Sequence, residues 1–471
     1  MTERYDLVVI GGGSAGLTAA GLAVQLGVRV ALAEKDRIGG DCTWSGCVPS
    51  KTLLRAARVA HEMRTADRHG LTPVEPLVDL QSLLAHVRSV IQEIYEEESP
   101  VALRADGIEV FLGETRFLDP RTISVGDTTL EARHILLCTG ALPFVPPLEG
   151  LDSVDYLTHV SLWELEALPE HLLVVGGGPV GCEMAQAFRR LGAEVSLVTD
   201  LDRLLIRDEP AASHVLAQAF AEEGISLHFQ APAQRVWQEG GDIHLLAGAG
   251  EVVGDALLFA TGRRPNVEGL DLERAGVSYN EQGIEVDDNL RTSQKHIYAA
   301  GDCVGSHQFT HFAGWQAAMA VRNAVLPGSS KGTTDLVPWT TFTEPEVAHV
   351  GLTEVQARDR FGDDVATCEW PMDKVDRART EGDTSGFMKL VHKKDGTLLG
   401  ASIVAARAGE MIHEWILALH RRVRVSDLAG VIHVYPTYST AIMQAAAHVR
   451  VEQLLEGRTG QVVRSLARLM R

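Results

Sequence analysis

The segment LVVIGGGSAG at residues 7–16 returns as LLVVGGGPVG at 172–181. Each copy is an apolar run of strand length, a glycine triplet, and a pattern that suits a helix. Each leads to a second shared signal, ILLCTG at 135–140 and LLFATG at 257–262. Two copies of one strand–glycine–helix unit point to two nucleotide-binding domains, one for each of two dinucleotides. The glycines let the backbone approach a pyrophosphate, and the helix N-terminus behind them offers unpaired N–H groups to the anion.

In the first copy, Tyr5 to Ile10 reads as a strand, Gly11, Gly13 and Gly16 fill the fingerprint, and Leu17 to Leu26 reads as the helix. A second strand, VRVALAE, ends on Glu34, where a carboxylate can accept from a ribose hydroxyl. The second copy carries Gly176, Gly178 and Gly181, and its strand EVSLVTD ends at Thr199 and Asp200. A nicotinamide dinucleotide is the expected ligand there. Thr199 is neither the glutamate that marks NAD nor the arginine that marks NADP. Asp200 would repel a 2′-phosphate whereas Arg203 and Arg207 could attract one, so NADH is slightly favoured over NADPH. The stretch HIYAAGDCVG at 296–305 reads as a buried strand ending in Gly301 and Asp302, another acid placed for a cofactor. After Pro327 the loop GSSKGTTD marks a domain boundary. Beyond it, VAHVGLT, GFMKLVH and LLGASIVA surround a helix from Glu410 to about Arg421, an α+β pattern.

The stretch GGDCTWSGCVPSK at 39–51 holds Cys42 and Cys47, five positions apart. Two thiols that close a disulfide store two electrons beside a two-electron cofactor. On a regular helix that spacing separates the pair by about 7.5 Å along the axis and roughly 140° around it. Disulfide Cα separations stay within about 4.4–6.8 Å, so the two can bridge only across an irregular turn. Gly39, Gly40 and Gly46 supply that freedom. Lys51 follows Cys47 by one helical turn, where a cation would stabilise a thiolate. The other four cysteines, Cys138, Cys182, Cys303 and Cys368, are isolated and read as small buried hydrophobes.

Six cysteines in 471 residues are too few for a secreted disulfide framework. The length calls for several cores. A net charge of −20 with both signs interleaved argues against nucleic acid or an anionic membrane as partner. No apolar run approaches bilayer length, and MTERYDLVVIGGG lacks a signal peptide's build, so a cytoplasmic location is expected.

These motifs, with GGGPVGCE at 176–183, ATGRRPN at 260–266, AAGDC at 299–303 and FTEPEVAHVG at 342–351, span essentially the whole chain. Together they resemble the group I pyridine nucleotide–disulfide oxidoreductases, the family of glutathione reductase, dihydrolipoamide dehydrogenase and mercuric reductase. The resemblance implies an α/β fold: two Rossmann-like dinucleotide-binding domains plus a C-terminal α+β dimerisation domain. It implies FAD, NADH or NADPH, and a homodimer. The expected divisions are 1–150 and 266–332 for FAD, 151–265 for NAD(P) and 333–471 for the interface. By resemblance, Cys42 meets the substrate, Cys47 lies near the flavin, and Lys51 pairs with Glu183 beside the flavin's reactive nitrogen. Glu34 and Asp302 would bind FAD, and Thr139, Gly140 and Gly262 join the cofactor-binding positions. No resident metal is expected.

Disulfide-reducing members carry His, any residue, His, Pro, Thr, two residues and Glu near the C-terminus. The second His shuttles protons for the partner's thiols and the Glu orients it. Here the run is His433-Val434-Tyr435-Pro436-Thr437-Tyr438-Ser439-Thr440, with Tyr435 at the His position and Thr440 at the Glu. A phenol titrating near 10 is a poor base at neutral pH. His433 is a candidate substitute base, against the alternative of a structural or exposed histidine. A tyrosine there suits an acceptor that needs no proton shuttle, such as a soft metal ion held by thiolates and a phenol oxygen. The cysteine and interface motifs are similar to mercuric reductase-like members, but the tail VVRSLARLMR has no cysteine pair and no metal-binding domain precedes the fingerprint. The expected acceptor is therefore a metal ion or another small oxidant. A dihydrolipoamide dehydrogenase and a non-catalytic redox-sensing flavoprotein are the alternatives.

Overall fold

The computed structural model describes residues 3–455 and, beyond them, 460, 462, 464–465 and 468–470. Part of the 462–471 tail therefore lies outside the described residues. Strand β1 (Glu3–Ile10) enters helix α1 (Ser14–Gln25), which returns to strand β2 (Val30–Glu34). The helix starts three residues earlier than its apolar pattern suggests, because Gly13 takes an extended N-cap conformation and leaves the small residues Ser14, Ala15 and Gly16 inside the first turn. The strand starts at Val30 because the amide groups of Val28 and Arg29 serve the turn and Asp6 instead of the ladder. Helices α2 (Gly40–Trp44) and α3 (Cys47–Arg64) follow, separated only by Ser45 and Gly46.

β1 pairs in parallel with β2 on one side and with Thr128–Leu137 on the other, while β2 pairs with Glu109–Leu112. Ile297–Ala299 joins the far edge of Thr128–Leu137, so a segment late in the chain closes the first sheet. Its parallel strands are apolar on both faces because both are covered, one by α1 and the other by the antiparallel strands Thr115–Asp119 and Thr122–Val125 that extend the same sheet. Leu7, Val9 and Leu32 pack with Ala19 and Ala20 of α1 on one side, and Val8, Ala31 and Ile135 with Phe117 and Ile123 on the other.

The second motif builds the same order again. Ser226–His228, Glu194–Val198, His171–Val175 and Ala256–Phe259 lie side by side, all parallel, with the helix Pro179–Leu191 after the glycines. Its second strand stops at Val198, so Thr199 and Asp200 lie just past its end. Thr199 is buried; its N–H donates the last bond to the neighbouring strand, at His228 O, and its C=O accepts from Ala231 N beyond that strand's end.

The C-terminal unit is a five-stranded antiparallel sheet in the order Trp339–Thr341, Glu346–Gly351, Leu398–Ala405, Phe387–Lys393 and Val365–Pro371. The helix Ala408–Arg421 packs on it through the fully buried Trp415, whose Nε1 sits 3.2 Å from Met388 Sδ. Among the described residues no helix is long and apolar enough to cross a membrane.

Candidate dithiol active site

The glycines bring the redox segment onto the nucleotide fingerprint. Gly40 has φ +60° and lies so close that a Cβ would come 2.7 Å from Gly13 Cα. Gly39 has φ +101°, and a Cβ on Gly46 would press within 2.9 Å of Asp41 O. Thus Gly39 and Gly40 supply left-handed turns, and Gly46 supplies room. The break at Ser45 and Gly46 ends α2 and starts α3 on Cys47, giving the irregular turn that a five-residue dithiol spacing requires.

Both thiols are free. A hydrogen bond from the Cys42 thiol leads the effects that lower Cys47 to about 6; burial opposes it, and Thr310 and Lys51 assist. The same hydrogen bond and burial push Cys42 far up. One thiolate is therefore favoured at neutral pH, on Cys47. One turn along α3, Lys51 Nζ lies 2.8 Å from Glu183 Oε2. Glu183 is buried on the helix Pro179–Leu191, and its other oxygen accepts from Phe342 N at 2.9 Å. Lys51 also sits 4.6 Å from the Phe342 ring centroid. All three packed units thus meet behind the dithiol.

The site fits FAD. Gly11 and Gly16 approach neighbouring backbone so closely that a Cβ on either would strike a carbonyl oxygen, whereas Gly13 meets nothing nearer than Gly40. No side chain caps α1, so its first N–H groups are open to a phosphate. Glu34 ends β2 with Oε2 2.6 Å from Gly12 N, beside the fingerprint. Gly140 (φ +70°) and Gly262 (φ +118°) border open space, while Thr139 Oγ1 donates to Asn266 O at 2.6 Å. Gly301 takes φ +82° and turns the chain into Asp302. Arg263 lies between Asp41 (2.8 Å) and Asp302 (3.5 Å), and its buried Nε has no partner. Burial raises Asp302 despite Arg263, whereas Asp41, though also desolvated, is held far down by His159 and Arg263. In the second fingerprint, Gly178 is open and the helix behind it again lacks a side-chain cap. Gly176 and Gly181 repeat the close approaches of the first copy.

The C-terminal candidates lie apart from this cluster. Tyr435 is 67% exposed and its hydroxyl donates to Asp376 Oδ2 at 2.8 Å, a bond that raises the phenol's pKa. Thr440 is buried and bonds to Thr437 rather than to any imidazole. His433 has both ring nitrogens engaged, Nδ1 with Val431 O and Nε2 with both Glu414 oxygens, all at 3.1 Å. Its side chain is 7% exposed. Thr310, Asp41, Arg263, His159, Asp376 and Glu414 escaped sequence reasoning. Asp41, beside Cys42, was the one with a signal, an acid inside the cysteine motif.

Two repeated dinucleotide folds converging on a dithiol define a pyridine nucleotide-dependent reductase. The family model "Pyridine nucleotide-disulphide oxidoreductase" matches residues 5–321, and that family's dimerisation domain matches 337–446. The chain belongs to this family, whose members use FAD and NAD(P)H. It is 37% identical to mercuric reductase of Bacillus cereus, over 94% of this chain and 71% of that protein. It is 36% identical to dihydrolipoyl dehydrogenase of Thermus scotoductus, over 94% and 97%. The solved Cu(II) complex of the HOCl-induced flavoprotein disulfide reductase RclA from Escherichia coli superimposes with a TM-score of 0.86 at 27% identity, over 95% and 100% of the two chains.

Proposed function

We propose that this FAD-dependent NAD(P)H oxidoreductase passes electrons through Cys42 and Cys47 to a soft metal ion or another small oxidant, not to a disulfide substrate. Bound FAD supplies the two-electron relay between the nicotinamide and the disulfide. The disulfide takes two electrons and one proton, its S–S bond breaks, and the products are a Cys42 thiol and a Cys47 thiolate. Cys42 meets the acceptor, while Lys51 and Glu183 hold a fixed charge pair behind the dithiol. Glu34, Asp302, Thr139, Gly140 and the glycines of the first fingerprint hold FAD; Gly176, Gly178, Gly181 and Gly262 serve the nicotinamide cofactor, NADH before NADPH. The chain works as a homodimer with the divisions 1–150, 151–265, 266–332 and 333–471, in the cytoplasm, where thiols stay reduced.

The observation that carries this reading is Tyr435. Its phenol is committed to Asp376 and made less acidic, and Thr440 offers no carboxylate to orient a base. The electron store is complete while the proton shuttle that dithiol exchange needs is not. We assign His433 to structure, since both of its nitrogens are bonded. Relatives named mercuric reductase and a copper complex of a structural neighbour support a metal ion as acceptor. The Thermus relative favours dihydrolipoamide as a second reading. The test is NADH oxidation with lipoamide, oxidised glutathione, Hg(II), Cu(II) and a quinone in turn. Turnover with the metal ions or the quinone at least tenfold above the disulfides is expected; fast lipoamide turnover overturns the proposal.

A further inference from the structure

Thr310 opens the helix Thr310–Val325, and its hydroxyl oxygen lies 3.5 Å from the Cys47 sulfur. Phe309 before it provides no side-chain cap. Cys47 is itself the first residue of α3, so the sulfur meets the amino ends of two long helices, which favour an anion. The other groups facing it are the Cys42 thiol from α2, the Lys51 ammonium from α3 and the Glu183 carboxylate from Pro179–Leu191. His311, the next residue, is turned away, with Nε2 2.8 Å from Pro338 O. The Thr310 hydroxyl is thus the neutral donor in the set that can follow the charge on Cys47 without titrating.

We propose that Thr310 is a positioning residue for the reductase chemistry, its hydroxyl donating a hydrogen bond to Cys47 that holds the negative charge there rather than on Cys42. The proposal rests on the dithiol reading above. When the S–S bond breaks, the proton goes to Cys42 and Thr310 keeps its own. Because an O–H bonds an anionic sulfur more strongly than a disulfide sulfur, Thr310 favours the reduced pair. Cys42 is left as the protonated partner, although Ser14 and Thr310 also reach it, because its own burial and the Cys47 charge oppose a second anion.

The test uses Cys42→Ser holoenzyme, in which Cys47 titrates without a partner thiol. The pH midpoint of the long-wavelength thiolate-to-flavin absorbance is compared in this background with Thr310→Val and with Thr310→Ser. One hydrogen bond to a charged group corresponds to about one pH unit, a tenfold loss of thiolate. Thr310→Val is expected to raise the midpoint by about that much, and Thr310→Ser to restore it. The pH dependence of Cys47 alkylation by iodoacetamide in the same holoenzyme, read by peptide mass spectrometry, should shift likewise. An unmoved midpoint with Val, or a Ser variant that behaves like Val, overturns the assignment. If Cys42→Ser protein with Thr310 intact shows no long-wavelength absorbance at any pH, the dithiol reading itself falls and takes this inference with it.

Discussion

Replacing Tyr435 with histidine should begin to restore disulfide chemistry, and the structure says how far. An imidazole is shorter than a phenol, so its nitrogen cannot occupy the place of the hydroxyl that now lies 2.8 Å from Asp376. With Thr440 offering only a hydroxyl already bonded to Thr437, the new ring has no carboxylate to fix its tautomer. General acid–base help is worth about 10²–10⁴ in rate, and a misplaced catalytic group can lose about 10² of that. Tyr435→His alone is therefore expected to raise lipoamide or glutathione reductase activity only about tenfold. Adding Thr440→Glu should bring the gain to about 10²–10³, or roughly 2.7–4 kcal/mol of barrier. The glutamate is tolerable there because Thr440 is the first residue of the helix Thr440–Leu455, where a negative charge gains about 0.3–1 kcal/mol. Against that stands overpacking at a site only 6% exposed, at about 1–3 kcal/mol, so a modest net loss of stability accompanies the gain. The assay is steady-state NADH oxidation with each disulfide, normalised to bound FAD. A double variant that keeps its long-wavelength absorbance but stays at the parent rate would refute the view that the missing proton shuttle limits this reaction.

Two further outcomes follow from the packing. Lys51→Met strands the Glu183 carboxylate, 4% exposed, with the Phe342 N–H as its remaining partner; because Lys51 is itself over a third exposed, the loss should be about 1–3 kcal/mol in urea unfolding, and Glu183→Gln should lose less. Gly40→Ala forces a Cβ to within 2.7 Å of Gly13 and strains a left-handed residue, so purified protein should carry less than half the parent's FAD by absorbance; full occupancy would mean that the contact does not set the cradle.

The parts legible in the sequence are those where backbone geometry dictates residue type. Gly11, Gly16 and Gly40 are glycines because backbone occupies the space of a Cβ, and Glu34 is found by counting to the end of a strand. The departure at Tyr435 and Thr440 was legible because the motif around them has fixed spacing. The bonds that give these residues their chemistry were not. Tyr435 meets Asp376, His433 meets Glu414, Arg263 meets Asp41, and Thr310 meets Cys47 across long sequence separations, through contacts that no local period encodes. The stop at Val198 has a similar origin: Thr199 has strand character, but the neighbouring strand ends at His228 and leaves it no further partner in the ladder.

If Cys42 and Cys47 form a two-electron store coupled to FAD, the protein takes up more electrons than its flavin alone can hold. Anaerobic titration of the purified yellow protein with dithionite counts that store directly. Four electrons per subunit are expected, two for FAD and two for the disulfide, with long-wavelength absorbance greatest after the first two, and only two electrons in Cys42→Ser. Uptake of two electrons by the unsubstituted protein, with no long-wavelength absorbance, would mean that the two cysteines store none.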